Sequence, residues 1–141
     1  MPRAARKPAG YSGTPLAKKL GVVAGSRMFA VAAPADYAAL LAPLPERVEI
    51  KSRASEAVDI AHVFVVRKAE LQKHLARLRA QLRADATVWV SWPKQASGVA
   101  SEVTEDTVRE VALPLGFVDV KVCAVSDVWS GLKLVVRKAL R

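Results

Sequence analysis

Residues 58–92, with the sequence VDIAHVFVVRKAELQKHLARLRAQLRADATVWVSW, decide the fold of this chain. The apolar runs 58–66 and 86–92 have strand length and are rich in β-branched and aromatic residues. Between them, over 69–84, leucines recur at spacings of four, three and four, which places them on one face of a helix. A strand, a helix and a second strand in this order form a right-handed crossover between parallel strands. The segment predicts a parallel sheet with 58–66 as its central strand.

The sequence on both sides extends this alternation. Apolar or alternating runs predict further strands at 27–33, 47–51, 117–125 and 128–137. Proline and capping signals predict helices over 14–20, 36–41 and 104–115. Thr14 and Thr104 are the predicted N-caps, and a turn at Ser126-Asp127 joins the last two strands as a hairpin. The order predicts an α/β three-layer sandwich, whose mainly parallel sheet ends in this hairpin and is covered on both faces.

Charge and composition bound the class of protein. The 141 residues include 22 Lys and Arg against 13 Asp and Glu, a formal net charge of +9. A hydrophobic fraction of 52% excludes a generally disordered chain, and we predict one domain over 14–141 after a flexible basic tail over 1–13. A single cysteine, Cys123, excludes an internal disulfide framework. No apolar run approaches a membrane span or a signal-peptide core, which predicts a cytoplasmic protein without a membrane partner.

Several stretches resemble class I S-adenosylmethionine-dependent methyltransferases, a Rossmann-like fold whose sheet ends in an antiparallel hairpin. The similarity covers LGVVAGSRMFAVAAPADY (20–37) at their first strand and turn, VDIAHVFVV at their fourth strand, ATVWVSW at their fifth, and LPLGFVDVKVCAV (113–125) at their last helix and sixth strand. A helix and a strand of that fold are missing between Lys51 and Val58. The resemblance implies an abbreviated Rossmann-like sheet.

The chain is more closely similar to an uncharacterised bacterial family, a domain of unknown function related to that fold. The matching stretches are YSGTPLAKKLG (11–21), VSWPKQASGVASEVTEDTVREVALPLG (90–116) and FVDVKVCAVSDVWSGLKLVVR (117–137). This resemblance implies a fold and carries no established activity.

The first turn departs from that of working methyltransferases, which is rich in glycine so that the backbone can approach the cofactor. Here the turn 32–36 reads AAPAD, without glycine, and Pro34 removes a backbone donor. Glu49 is the candidate for the acid that binds the cofactor ribose, but Lys51 and Arg53 follow it. The sequence therefore predicts no cofactor, with S-adenosylmethionine kept as the alternative.

The carboxyl ends of the predicted strands bring together aromatic, cationic and small residues. Because ligands of open parallel sheets bind at that edge, we predict a ligand site there. Its predicted members are Asp36, Tyr37, Arg53, Trp92, Lys94, Ser97, Gly98 and Trp129. Lysine and arginine beside tryptophan suit a flat or anionic ligand. The alternative is that the tryptophans close the core and that 92–98 is a structural turn.

Catalytic signals are weak. His62 lies within an apolar strand, which favours a hydrogen-bonded core histidine over a catalytic base, and His74 is predicted at the surface. Cys123 is predicted to be a small core residue, since nothing in its surroundings lowers a thiol pKa. The histidines and the cysteine are too far apart in sequence for a metal motif. We predict no catalytic residue and no metal, and the sequence disfavours an enzyme.

Three function classes follow. The first is a non-catalytic, methyltransferase-like domain that binds a protein partner or an anionic small molecule at the strand ends. The second is a divergent S-adenosylmethionine-dependent methyltransferase. The third is a basic nucleic-acid-associated protein, with Arg77, Arg79 and Arg83 as its footprint and binding that weakens steeply with salt.

Overall fold

The computed structural model describes residues 13–141, so the predicted tail, except for Gly13, lies outside the described residues. The described part forms the helices α1 (Leu16–Leu20), α2 (Tyr37–Leu41), α3 (Lys68–Gln81) and α4 (Glu105–Ala112). Its strands are β1 (Arg27–Val31), β2 (Glu49–Lys51), β3 (Ile60–Phe64), β4 (Thr87–Pro93), β5 (Phe117–Ala124) and β6 (Trp129–Val136). Short 3-10 turns lie at Gln95–Ser97, Leu113–Leu115 and Lys138–Leu140. No helix in this range is long and apolar enough to cross a membrane.

The strands form one sheet in the order β2-β1-β3-β4-β6-β5. The first four in this order are parallel, and β6 is antiparallel to both of its neighbours, β4 and β5. The predicted mainly parallel sheet, its central strand and its hairpin are confirmed. The sequence did not place β6 between β4 and β5, because a hairpin signal shows which strands are joined and not which of them pairs with the rest of the sheet.

Side chains alternate along the strands and build a separate core on each face. On one face, α3 and α4 pack on residues such as Val63 and Leu132, which are both fully buried. The predicted leucine stripe lies there, with three members at most 2% exposed: Leu71, Leu75 and Leu78. On the other face, α1 and α2 pack around Trp89, whose Nε1–H donates to the Leu20 carbonyl at 3.1 Å. Since each buried leucine contributes about 1.5–3 kcal/mol, the stripe holds α3 firmly on the sheet.

One helix cap is confirmed and the other is corrected. The Thr104 hydroxyl accepts from the Thr107 N–H, and the Thr107 hydroxyl accepts from the Thr104 N–H, which makes a reciprocal capping box at α4. At α1, Pro15 and not Thr14 occupies the N-cap position, and no side chain caps the helix. Pro15 has an extended ψ of 141°, so the N-cap lies one residue later than predicted.

Several strands are shorter than predicted, and at β1 and β2 a residue with a left-handed backbone stands next to the strand. Arg47 has φ 57°, which no strand residue adopts, so β2 begins at Glu49. Ala32 has φ 55° and turns the chain away after Val31, so β1 ends there and not at residue 33.

The predicted covering of both faces is incomplete at β1 and β2. The chain passes from β2 to β3 through residues 52–59 without a helix, as the resemblance to an abbreviated sheet implies. Phe29 and Val31 point to the α3 side of the sheet and are only partly buried. An open groove therefore runs between residues 52–54 and α3, with β1 as its floor.

Asp59 links β1 to the segment that follows α3 at the amino end of the sheet. Its carboxylate accepts from the Arg27 N–H at 2.7 Å and from Arg83 Nη2 at 2.9 Å. Burial alone would raise the pKa of Asp59, but these bonds and the Arg27 guanidinium outweigh it and lower the pKa. The ionised carboxylate therefore stabilises the fold near neutral pH.

Candidate functional site

An open groove lies beside β1, and we name it the β1–α3 groove. It has a volume of about 550 Å³. Phe29 and Val31 form the floor, and Ser52 and Arg53 form the wall at the carboxyl end of β2. α3 supplies the opposite wall. A groove of this size accommodates a small molecule.

The wall from α3 follows from helical spacing. His74, Arg77 and Gln81 are three and four residues apart, so they share one face of the helix. Leu78 is buried beneath them as part of the leucine stripe and fixes the orientation of that face.

The charged side chains that line the groove are all positive. Its lining residues within 13–141 carry the guanidinium groups of Arg53 and Arg77 and the imidazole of His74, and none carries a carboxylate. Burial lowers the pKa of His74, with Arg77 and Lys73 lowering it further against the opposing effect of Glu70. The imidazole is therefore neutral at neutral pH. The arrangement attracts anions.

The turn after β1 keeps an unusual backbone although it has no glycine. Ala32 adopts φ 55°, in the left-handed region, and lines the groove. A residue with a Cβ atom in this region costs about 1–2 kcal/mol. The turn thus adopts the backbone of a glycine position while presenting an alanine.

The predicted ribose acid is in the wrong place. Glu49 begins β2, pairs in register with Arg27 and forms an ion pair with Lys51 at 3.4 Å. It therefore lies toward the amino end of its strand. β2 ends at Lys51, so its carboxyl end presents Lys51, Ser52 and Arg53 instead. The carboxyl end of β2 therefore presents cations.

The two predicted tryptophans do not meet. Trp92 is 7% exposed and packs in the core under α3 and α4. Trp129 pairs in register with Pro93, so it lies on the opposite face, with its ring 5.0 Å from that of Phe64. The predicted convergence of both rings on one ligand is therefore wrong. The burial of Trp92 favours the alternative, in which it closes the core.

The loop after β4 is braced by its own hydrogen bonds. The Lys94 N–H donates to the Val128 carbonyl at 2.7 Å, which ties the loop to the hairpin turn. The Ser97 hydroxyl donates to the Lys94 carbonyl at 2.6 Å, and Gly98 ends the turn with φ 78°. A ligand at Lys94, Ser97 and Gly98 stays a prediction.

Tyr37 belongs to a buried chain of hydrogen bonds and not to an open site. Its hydroxyl lies 2.8 Å from His62 Nδ1, and His62 Nε2 lies 2.7 Å from the Ser91 hydroxyl. Burial lowers the pKa of His62 to about 3 and raises the pKa of Tyr37, so both groups are neutral. His62 and Ser91 are fully buried, so this serine–histidine pair meets no substrate. The prediction of a hydrogen-bonded core histidine is confirmed, and Asp36 lies exposed beside Tyr37.

The structure brings one predicted ligand residue, Arg53, into the β1–α3 groove. Sequence reasoning missed His74, which was assigned to the surface, and Gln81. It assigned Arg77 to nucleic acid instead. The signal that could have found this wall is the spacing of 74, 77 and 81 beside the leucine stripe.

The other arginines of the predicted nucleic-acid footprint bond to the protein itself. Arg79 Nε donates to the Leu115 carbonyl at 3.1 Å. Arg83 donates to Asp59, to Asp85 and to the Val58 carbonyl. The three predicted arginines therefore do not form one unoccupied basic surface, and nucleic-acid binding stays a prediction.

Metal and thiol chemistry find no support in the described range. No group of histidine, cysteine, aspartate and glutamate between residues 13 and 141 could hold a metal ion. Cys123 is partly buried, and burial raises its pKa against the opposing effect of Lys19 and Lys121. The thiol is therefore protonated near neutral pH.

Comparison with solved structures places this chain among Rossmann-like folds. A variant of LepI in complex with SAH is similar with a TM-score of 0.58 at 13% identity, over 94% of this chain and 49% of that chain. The mitomycin 7-O-methyltransferase MmcR matches with a TM-score of 0.59 at 11% identity, over 79% of this chain and 49% of that chain. A protein of the NADB-Rossmann superfamily from Streptococcus agalactiae matches with a TM-score of 0.53 at 11% identity, over 91% of this chain and 70% of that chain.

The chain spans about half the length of LepI and MmcR. No protein-family model matches it, and no curated protein matches it by sequence. The resemblance to an uncharacterised bacterial family therefore stays a prediction. The comparisons show a Rossmann-like, methyltransferase-like α/β fold.

Proposed function

We propose that this chain is a methyltransferase-like domain that binds an anionic small molecule in the β1–α3 groove and performs no catalytic step of its own. The observation that carries the proposal is the charge of the groove lining, where Arg53 and Arg77 stand on opposite walls without a carboxylate among the described lining residues.

The chemistry of the two walls supports this ligand class. A guanidinium presents paired donors that match a phosphate or a carboxylate. The floor of Phe29 and Val31 offers apolar area to the rest of the molecule. An anion with an apolar or flat portion would satisfy both parts of the groove.

The side chains available support the proposed lack of a catalytic step. Nucleophilic catalysis by a side chain needs a general base within hydrogen-bond reach of the nucleophile. In the described range, the pair with that geometry is His62 and Ser91, which is sealed inside the sheet. His74 can exchange a proton in the groove, but none of the described residues that line the groove carries a thiol or a carboxylate.

A thermal-shift titration with ADP at fixed salt tests the proposal. A ligand at 100 times its dissociation constant stabilises the fold by about 2.7 kcal/mol, which raises the Tm by roughly 10 °C in a domain of this size. We expect a saturable rise that the double variant Arg53→Ala/Arg77→Ala loses. Lys121→Ala removes a cation from the opposite edge of the sheet and should respond like the unchanged protein. No response to ADP, pyrophosphate or sulfate would exclude an anion site.

The second candidate is a divergent S-adenosylmethionine-dependent methyltransferase. The observation in its favour is Ala32, which keeps a left-handed backbone where such enzymes use glycine. LepI, one of the similar structures, has been solved in a complex with SAM. A saturable Tm rise with S-adenosylhomocysteine, larger than that with ADP, would favour this candidate over the first.

A further inference from the structure

We propose that the β1–α3 groove binds a doubly charged anion of the phosphate-monoester or sulfate class together with a proton on His74, so that affinity rises as the pH falls. This inference rests on the proposed function. It adds the charge of the ligand and the dependence of its binding on pH.

The geometry places His74 where a bound anion would face it. It stands on the same helical face as Arg77, one turn earlier, and across the groove from Arg53. The charged groups that face it from its own helix are Glu70, Lys73 and Arg77. The wall from residues 52–54 contributes Arg53, and the lining residues of β1 contribute no charge.

The empty groove lowers the pKa of the His74 imidazole, whereas a bound anion raises it. Without a ligand, partial burial and the neighbouring cations disfavour a charged imidazole. A dianion between Arg53 and Arg77 offsets the charge of these two cations, so their repulsion of a charged imidazole is removed, and the oxygen atoms of the anion can accept a hydrogen bond from the protonated ring. The bound state therefore raises the pKa of His74, and the proton comes from the solvent.

The difference in the His74 pKa between the empty protein and the complex determines how affinity depends on pH. Because the pKa is higher in the complex, the complex takes up a proton that the empty protein does not hold. Affinity grows as the pH falls through the pKa of the complex and levels off below the pKa of the empty protein. A rise of about one pKa unit gives about a tenfold gain in affinity.

Sulfate is the suitable probe, since its charge is constant over the pH range, whereas a phosphate monoester itself titrates near a pKa of about 6. Sulfate is titrated by NMR from about pH 8 down to about pH 5.5, the range in which histidines change charge. We expect about tenfold tighter binding at the lower pH and a higher titration midpoint for the His74 ring protons with sulfate bound. The His62 resonances serve as an internal reference, because that buried ring stays neutral throughout.

Two variants separate a proton-linked site from a simple cationic groove. His74→Gln cannot take a proton and should remove the pH dependence. His74→Lys carries a permanent charge and should bind sulfate tightly across the range, while Lys121→Ala should keep the original pH profile.

Failure of the linkage and failure of the proposed function give different results. Sulfate binding with equal affinity at every pH, or pH dependence that survives in His74→Gln, overturns the linkage and leaves the anion site in place. No sulfate binding at any pH, with no response to ADP, overturns the site itself.

Discussion

The buried hydrogen bonds of Tyr37, His62 and Ser91 predict a sharp stability effect. The substitution Tyr37→Phe removes one hydroxyl and keeps the ring, so packing against Phe64 at 5.3 Å is retained. His62 Nδ1 then loses its partner at 2.8 Å inside a site from which water is excluded.

The magnitude follows from the burial of that nitrogen. A buried polar group left without a partner costs about 1–3 kcal/mol. Ser91→Ala orphans the other ring nitrogen and should cost a similar amount. Replacing the whole set with Tyr37→Phe/His62→Leu/Ser91→Ala should recover much of the loss, because no unsatisfied polar atom remains.

Urea unfolding followed by circular dichroism measures these differences, provided that the slope with denaturant stays constant. Ser52→Ala, which removes an exposed hydroxyl, is the matched control and should change stability by less than about 0.5 kcal/mol. A Tyr37→Phe cost as small as that of the control would refute the view that this hydrogen bond is sealed from water.

Three further predictions concern backbone, charge and packing. Ala32→Gly should stabilise the protein by about 1 kcal/mol in urea unfolding, because glycine adopts φ 55° without a steric cost; a loss of stability would contradict the left-handed turn. Asp59→Asn should cost about 1–2 kcal/mol at neutral pH. Because the pKa of Asp59 is lowered in the folded state, the ionised carboxylate contributes its full stability above the ordinary carboxyl pKa. This contribution is lost as the pH falls through the folded-state pKa. The unfolding free energies of the unchanged protein and of Asp59→Asn should therefore converge in acid. Gly116→Ala should lower the Tm by several degrees, because its φ is 99° and the new Cβ would lie 2.9 Å from Leu140 Cδ1. Gly98→Ala, with open space around it, should lower the Tm less. Equal losses of Tm in the two variants would show that backbone strain alone determines the effect.

The elements that the sequence predicted best are those with local signals. The leucines of α3 are buried where their spacing placed them, and Thr104 caps α4 through its neighbour Thr107. β3 is central because a continuous apolar run needs cover on both faces. In these cases one stretch of sequence carries the whole physical reason.

The candidate site was less predictable because it depends on contacts between distant segments. Trp92 and Trp129 lie on opposite faces because of the register of β4 against β6, which no local pattern reveals. Glu49 is the first residue of β2 because Arg47 adopts a left-handed backbone and the strand begins only after it. The β1–α3 groove exists because residues 52–59 form no helix, so its walls become a site only after the sheet has assembled.

The position of β6 has a consequence for how the chain is made. This strand is synthesised after the other five, yet it fills the space between β4 and β5 and contributes the buried residues Leu132, Leu134 and Val136. Until it leaves the ribosome, β4 presents an unpaired edge and β5 has no neighbour. The nascent chain therefore holds an incomplete sheet, and folding must wait for a distant pairing, which is slow and exposed to aggregation.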